Sequence, residues 1–247
     1  MRAHKVVMVA VIVFALAPFA ARAAPGDGMA NTAHDFTGAG GAGGVGLCTF
    51  CHTPHKAVST LLLWNHKLSV NVFNWDVPTT TAGTTFPSFR GDTYKGPTAR
   101  CLSCHDGSVA VGDIAWWRSA APAAPLDPTL HGAGDPRNVG LGGNLAGNHP
   151  VAMPYPYQQA GSTYNAVTTG SGFVASEWQS DPRTLNIRLF TDDGSGNISA
   201  GAVVAKTGIE CSSCHDPHNK ASVAEYFLRG SLTGSDTDYI CLKCHIK

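Results

Sequence analysis

All eight cysteines and four of the eleven histidines of this chain fall into one five-residue pattern, written four times. The words are Cys48-Thr-Phe-Cys51-His52, Cys101-Leu-Ser-Cys104-His105, Cys211-Ser-Ser-Cys214-His215 and Cys241-Leu-Lys-Cys244-His245. C-x-x-C-H is the attachment sequence of c-type haem. Two thiols three residues apart share one side of a helical turn and can bond covalently to the two vinyl groups of a haem. The adjacent histidine then meets the iron from the face on which the peptide lies. Four covalent haem c groups are therefore expected, on Cys48, Cys51, Cys101, Cys104, Cys211, Cys214, Cys241 and Cys244, with His52, His105, His215 and His245 as proximal iron ligands.

Other readings of a C-x-x-C pair explain less. A four-thiolate zinc site does not require His at the fifth position each time. A thioredoxin-like redox pair needs a βαβ frame around one pair rather than four scattered pairs. Disulfides are the default in an exported chain, but the histidine beside every pair overrides that default.

What lies opposite each proximal histidine decides between an electron relay and a catalyst. Six further histidines are available beyond residue 23: His34, His55, His66, His131, His149 and His218, against two methionines, Met29 and Met153. That supply points to two histidines on every iron, with no open site for a substrate. His55 follows His52 by three residues and His218 follows His215 in the same way. A residue one helical turn away stays on the same face of the macrocycle, so neither reaches the far side of its neighbour's iron. As ligands, each would serve a different haem. His34 and His149 lie in loop-like surroundings; His66 follows Trp64, which could pack on a haem; His131 lies in a Pro/Gly-rich stretch.

The first residues indicate export. Arg2 and Lys5 precede a continuous apolar run from Val6 to Ala21, and Ala21-Arg22-Ala23 has the small-x-small pattern of a cleavage site. Residues 1–23 read as a signal peptide, too short in its apolar part for a membrane span, and 24–247 as a single haem-bearing domain. Losing three of 17 basic residues leaves 14 against 17 acidic ones. No basic stripe is present, which excludes nucleic acid as a partner.

Long periodic apolar segments are scarce, and Gly38 to Gly46 and Ser119 to Pro125 are nearly all small residues or proline. A buried macrocycle can substitute for a periodic hydrophobic core. The expected fold is mostly irregular and haem-centred, with short helices and a small β-hairpin. Alternating Leu185, Ile187 and Leu189, a turn at Asp192 to Asn197 and a return at Ile198 to Val204 predict the hairpin. Ser222 to Arg229, stopped by Gly230, is the best helix candidate outside the words.

These words resemble the exported tetrahaem c-type cytochromes with doubled C-x-x-C-H motifs, of the kind that forms OmcE-like extracellular nanowires. The resemblance rests on Cys48 to His55, Leu63-Trp64-Asn65, Cys101 to Gly107, Asn148 to Val151, Glu210 to His218 and Cys241 to His245, and spans roughly residues 31–247. It implies a subunit with little secondary structure around a line of stacked haems that continues from subunit to subunit. It also implies that His34, His149 and His218 are distal ligands within the subunit and that His55 is given to a haem of the neighbouring one. His66 and His131 are extra to that pattern, with His66 as the spare candidate.

The expected function is electron transfer, as one subunit of an extracellular homopolymer that passes electrons to redox partner proteins or extracellular acceptors. The alternatives are a monomeric periplasmic electron shuttle and a multihaem oxidoreductase of a small nitrogen species. An enzyme needs an iron with an open position and nearby acid–base groups, and no word replaces its histidine. The chain is therefore read as a non-enzyme.

Overall fold

The computed structural model describes residues 23–37, 46–57, 61–69, 71–73, 94, 96–108, 137–161, 163–164, 167–168, 174–234 and 237–246. The expected signal peptide, apart from Ala23, and His131 lie outside them. Among the described residues no helix is long and apolar enough to cross a membrane.

Most of the described chain is turn or loop, as its composition implies. Among the described residues two α-helices are present, α1 (Pro97–His105) and α2 (Cys211–Cys214), and both are built on haem words. Proline at the start of α1 suits a position whose N–H has no helical partner. Word four forms a 3₁₀ turn, Ile240–Lys243. Word one is a run of turns closed by a bond from His52 N–H to Cys48 O of 2.9 Å.

The strands are β1 (Met153–Pro154), β2 (Thr163–Tyr164), β3 (Val167–Thr168), β4 (Phe190–Asp192), β5 (Ile198–Ala200) and β6 (Thr207–Ile209). They form a four-stranded sheet of order β1-β6-β4-β5 and a separate β2-β3 pair, all antiparallel. The expected hairpin is β4–β5, with Phe190 opposite Ala200 and Asp192 opposite Ile198. Its first strand is shorter than the alternation suggests. Pro182–Leu185 is a 3₁₀ turn ended by Asn186 at φ 71°, so Leu185 precedes the strand while Ile187 and Leu189 still turn inward.

Side chains alternate across this sheet with the period of two that strands impose. Ala152, Phe190 and Ile198 join a cluster with Phe73, Tyr94, Leu145 and Leu102 of α1. Met153, Leu189 and Ile209 join Tyr155, Tyr157 and Ile187 in a second, against which Ile240 and Cys244 of word four pack. Word two thus sits on one cluster and word four on the other, while β6 runs through Glu210 directly into word three.

The helix expected at Ser222 to Arg229 does not form. Val223 is 59% exposed, so the apolar residues do not share one buried face, and Tyr226 and Phe227 have φ of 59° and 60°. Left-handed backbone cannot continue a right-handed helix. The segment has another task, described below.

Candidate haem-attachment sites

Each word is a single turn, and three of the four are gripped by the same backbone device. At word one, Thr53 N–H donates to Leu63 O at 2.8 Å and Asn65 N–H to Cys51 O at 2.9 Å. At word three, Asp216 N–H donates to Phe227 O at 2.7 Å and Arg229 N–H to Cys214 O at 2.9 Å. At word four, Ile246 N–H donates to Glu177 O and Gln179 N–H to Cys244 O, both at 2.9 Å. Each proximal histidine here is bridged to a strap residue, respectively Trp64, Leu228 and Trp178. Word two keeps only half of this, because its helix continues: Val139 N–H donates to His105 O at 2.6 Å.

The strap also orients the imidazole. His52 Nδ1 lies 2.6 Å from Leu62 O, His105 Nδ1 2.7 Å from Arg137 O and His215 Nδ1 2.8 Å from Tyr226 O. A carbonyl only accepts, so Nδ1 carries the proton in each contact and Nε2 is left with its lone pair. That is the tautomer a metal-binding histidine needs, fixed by a partner outside the metal. Left-handed Leu62, Leu63, Tyr226 and Phe227 aim these carbonyls, at a cost of order 1–2 kcal/mol per residue. This explains the failed helix: Ser222 to Arg229 contains the strap of word three.

A polar residue closes the turn after three words. Thr53 Oγ1 accepts from His55 N–H at 3.3 Å and donates to His55 O at 2.8 Å. Asp106, fully buried, accepts from Ser108 N–H at 2.8 Å and from Asn71 Nδ2 at 2.9 Å. Asp216 accepts from Ala221 N–H at 2.6 Å, Lys220 N–H at 2.9 Å and His218 N–H at 3.3 Å, with Arg229 at 3.6 Å. Burial alone would push the Asp216 carboxyl up, but these N–H donors and the Arg229 charge outweigh it and hold it below the usual range.

Two histidine pairs converge across different words. The rings of His52 and His218 are 6.2 Å apart, centre to centre, and so are those of His105 and His34. One iron bonded to two imidazoles through Nε2 requires about 6.3 Å, from metal–nitrogen bonds of about 2.0 Å and the half-width of each ring. The residues therefore fit a haem iron at words one and two. His34 is held by Phe227, 4.7 Å away and stacked, and by Pro217 O, 3.3 Å from its Nδ1. Burial, then the nearby His105 charge, pushes its pKa down to about 4, so the ring is neutral and able to ligate. Phe36 stacks on His34 and, at 4.0 Å, on Phe50 of word one. This aromatic column ties the N-terminal segment to words one and three.

The other candidates are placed differently. His55 is exposed, and His149 is exposed with Nδ1 2.9 Å from Pro150 O. His66 is 1% exposed and faces Phe50 at 6.1 Å, while Trp64 meets His52 edge-on at 5.9 Å. No disulfide joins any of the eight cysteines. Burial pushes the second thiol of each word up, to about 11 for Cys51 and Cys214 and about 12 for Cys104 and Cys244.

Words two and three meet at a residue that the motif alone does not single out. Glu210 is fully buried and caps α2, its N–H donated by 3.0 Å to Ser213 Oγ. Its Oε2 accepts from Thr98 N–H in the first turn of α1 at 3.1 Å and from the Tyr94 hydroxyl. Thr98 Oγ1 in turn accepts from Cys211 N–H at 3.0 Å. Each helix thus caps the other.

Residues 203–247 match the family described as the Doubled CXXCH motif. That segment holds words three and four with the strap of word three. It is a haem c sequence. No curated protein matches the chain. The doubled motif indicates covalently bound haem c with its iron on this segment, and the chemistry such a group supplies is reversible uptake of one electron.

Proposed function

We propose that all four words carry haem c, that every iron has two histidine ligands, and that the exported protein is a non-enzymatic electron carrier polymerising into an extracellular filament. The observation that carries this reading is the pair of histidine couples at iron-spanning distance, each joining two parts of the chain. His52 and His218 would hold the iron of word one; His105 and His34 that of word two. His218 belongs to the loop after word three, so ligation there links the first and third haems directly.

The residues prepare each site before any electron arrives. At words one, two and three a backbone carbonyl holds Nδ1–H, which leaves Nε2 to the metal and keeps the ring from rotating. Half-buried second cysteines shield part of the attachment edge from water. Two histidines per iron exclude water and small substrates from the metal, which favours a relay over catalysis. His215 and His245 then draw on the remaining candidates, His149 and His55, with His66 in reserve. The exposure of His55 supports its donation to a neighbouring subunit, which would make assembly and coordination one equilibrium.

Substitution tests this site by site. His218→Ala and His34→Ala should each leave all four haems attached but convert one from low-spin to high-spin, at words one and two respectively, in optical and EPR spectra. His55→Ala should retain four haems and lose filaments in electron micrographs. Four fully low-spin haems in His218→Ala would contradict the pairing; normal filaments in His55→Ala would contradict the intersubunit link.

A further inference from the structure

Glu210 sits where two haem attachments converge. Cys211 follows it directly, and Thr98, three residues before Cys101 in α1, donates its N–H to the carboxylate at 3.1 Å and accepts from Cys211 N–H at 3.0 Å. Cys101 and Cys211 are thioether positions rather than iron ligands, so haems attached there would each bring one edge towards this carboxylate. Glu210 is fully buried, and Thr98 N–H, the Tyr94 hydroxyl and Ser213 are hydrogen-bonded to it. Ionisable groups facing it are Tyr94, also buried, and Arg100, 5% exposed, whose charge favours the carboxylate. Cys211, its neighbour in sequence, would be uncharged once bonded to haem. In such a low-dielectric setting a charge acts strongly over several ångströms.

We propose that Glu210 is a positioning residue that sets the reduction potentials of the haems on words two and three, taking up a proton when they are reduced. The inference rests on the electron-transfer reading. An external donor supplies one electron, ferric iron becomes ferrous, and the added negative charge draws a proton from solvent onto the Glu210 carboxylate. Burial raises the carboxyl from 4.5 to about 7 against its hydrogen bonds from Thr98 and Tyr94, which places this exchange near neutrality.

The test is a spectroelectrochemical titration of the purified holoprotein at about pH 5 and about pH 8, with Glu210→Gln alongside. At the acid pH the wild-type side chain is already neutral, so the two proteins should agree. At the alkaline pH the wild type carries a charge that the variant lacks, and two haems of the variant should titrate at more positive potential. The reduced-minus-oxidised infrared spectrum should contain a carboxylic C=O band that Glu210→Gln loses. An equal displacement at both pH values would reveal packing alone and overturn the proposal, as would no displacement at all. Should Glu210→Gln fail to mature, Tyr94→Phe removes one donor to the carboxylate and should move the pH-dependent region to higher pH; an unmoved region overturns the proposal. A protein without redox-active haem would instead defeat the electron-transfer reading itself.

Discussion

Residues 48–65 and 211–229 are the same device made from different side chains. Both run from a C-x-x-C-H turn through a polar closing residue, Thr53 or Asp216, and a proline to a histidine three residues beyond the proximal one. Both then pass a left-handed residue, Lys56 or Asn219 with φ of 54° in each, and return as a strap with two left-handed residues. They differ in what covers them. Asn219 Nδ2 donates to Ala24 O at 2.8 Å and Gly28 O at 3.0 Å, and Phe227 carries His34. At word one the matching Lys56, Leu62 and Leu63 are exposed. One backbone plan therefore serves a docked loop and an uncovered one, and the side chains at a few equivalent positions separate the two.

Breaking the covered loop should cost most. Asp216→Ala removes three N–H acceptor contacts and strands Arg229, 5% exposed, without its ion pair, a loss of about 3–5 kcal/mol in denaturant unfolding of the holoprotein. The matching Thr53→Ala should cost only about 1 kcal/mol. Asn219→Ala should lose about 2–3 kcal/mol and loosen the N-terminal segment, so that the haem of word two becomes partly high-spin. Lys56→Ala, at an exposed position, should stay within about 0.5 kcal/mol.

The repeat was only half legible in the sequence. The cysteines and histidines are readable because covalent chemistry fixes their spacing. The straps are not, because what grips His52 and His215 is a backbone carbonyl, and Leu62-Leu63 shares nothing with Tyr226-Phe227 beyond being apolar. The same apolar residues imitated a helix at Ser222 to Arg229. β1 and β6 have no turn signature joining them to a partner strand, whereas β4 and β5 flank the Asp193-Gly194 turn and were visible. The role of Glu210 depends on Tyr94 and Thr98, more than a hundred residues away, and no local pattern carries that.

One more substitution and the dependence on pH sharpen the contrast further along the chain. A side chain at Gly230, where the word-three strap ends, would come within 2.7 Å of Lys243 Cε and 2.9 Å of Ile240 Cα. Gly230→Ala should therefore cost about 1–3 kcal/mol and disturb words three and four rather than word one. Acid and base limits also fall on the word-three side. The Asp216 carboxyl is held below 3.8, so its contribution is present above that value and lost as pH falls through the lowered one. Glu210 is raised from 4.5 to about 7, so the folded state binds its proton more tightly. Its contribution is full below 4.5 and declines as pH rises to about 7, by on the order of 3 kcal/mol. Unfolding curves against pH should show that decline, and Glu210→Gln should flatten it.

The pairing of histidines across words is tested most directly by an atomic-detail density map of the haem-loaded protein. One iron should lie between His52 and His218 and another between His105 and His34, with Nδ1 of His52 and His105 still on the carbonyls of Leu62 and Arg137. An iron on His52 whose sixth ligand is any residue other than His218, or a word without its haem, would contradict it.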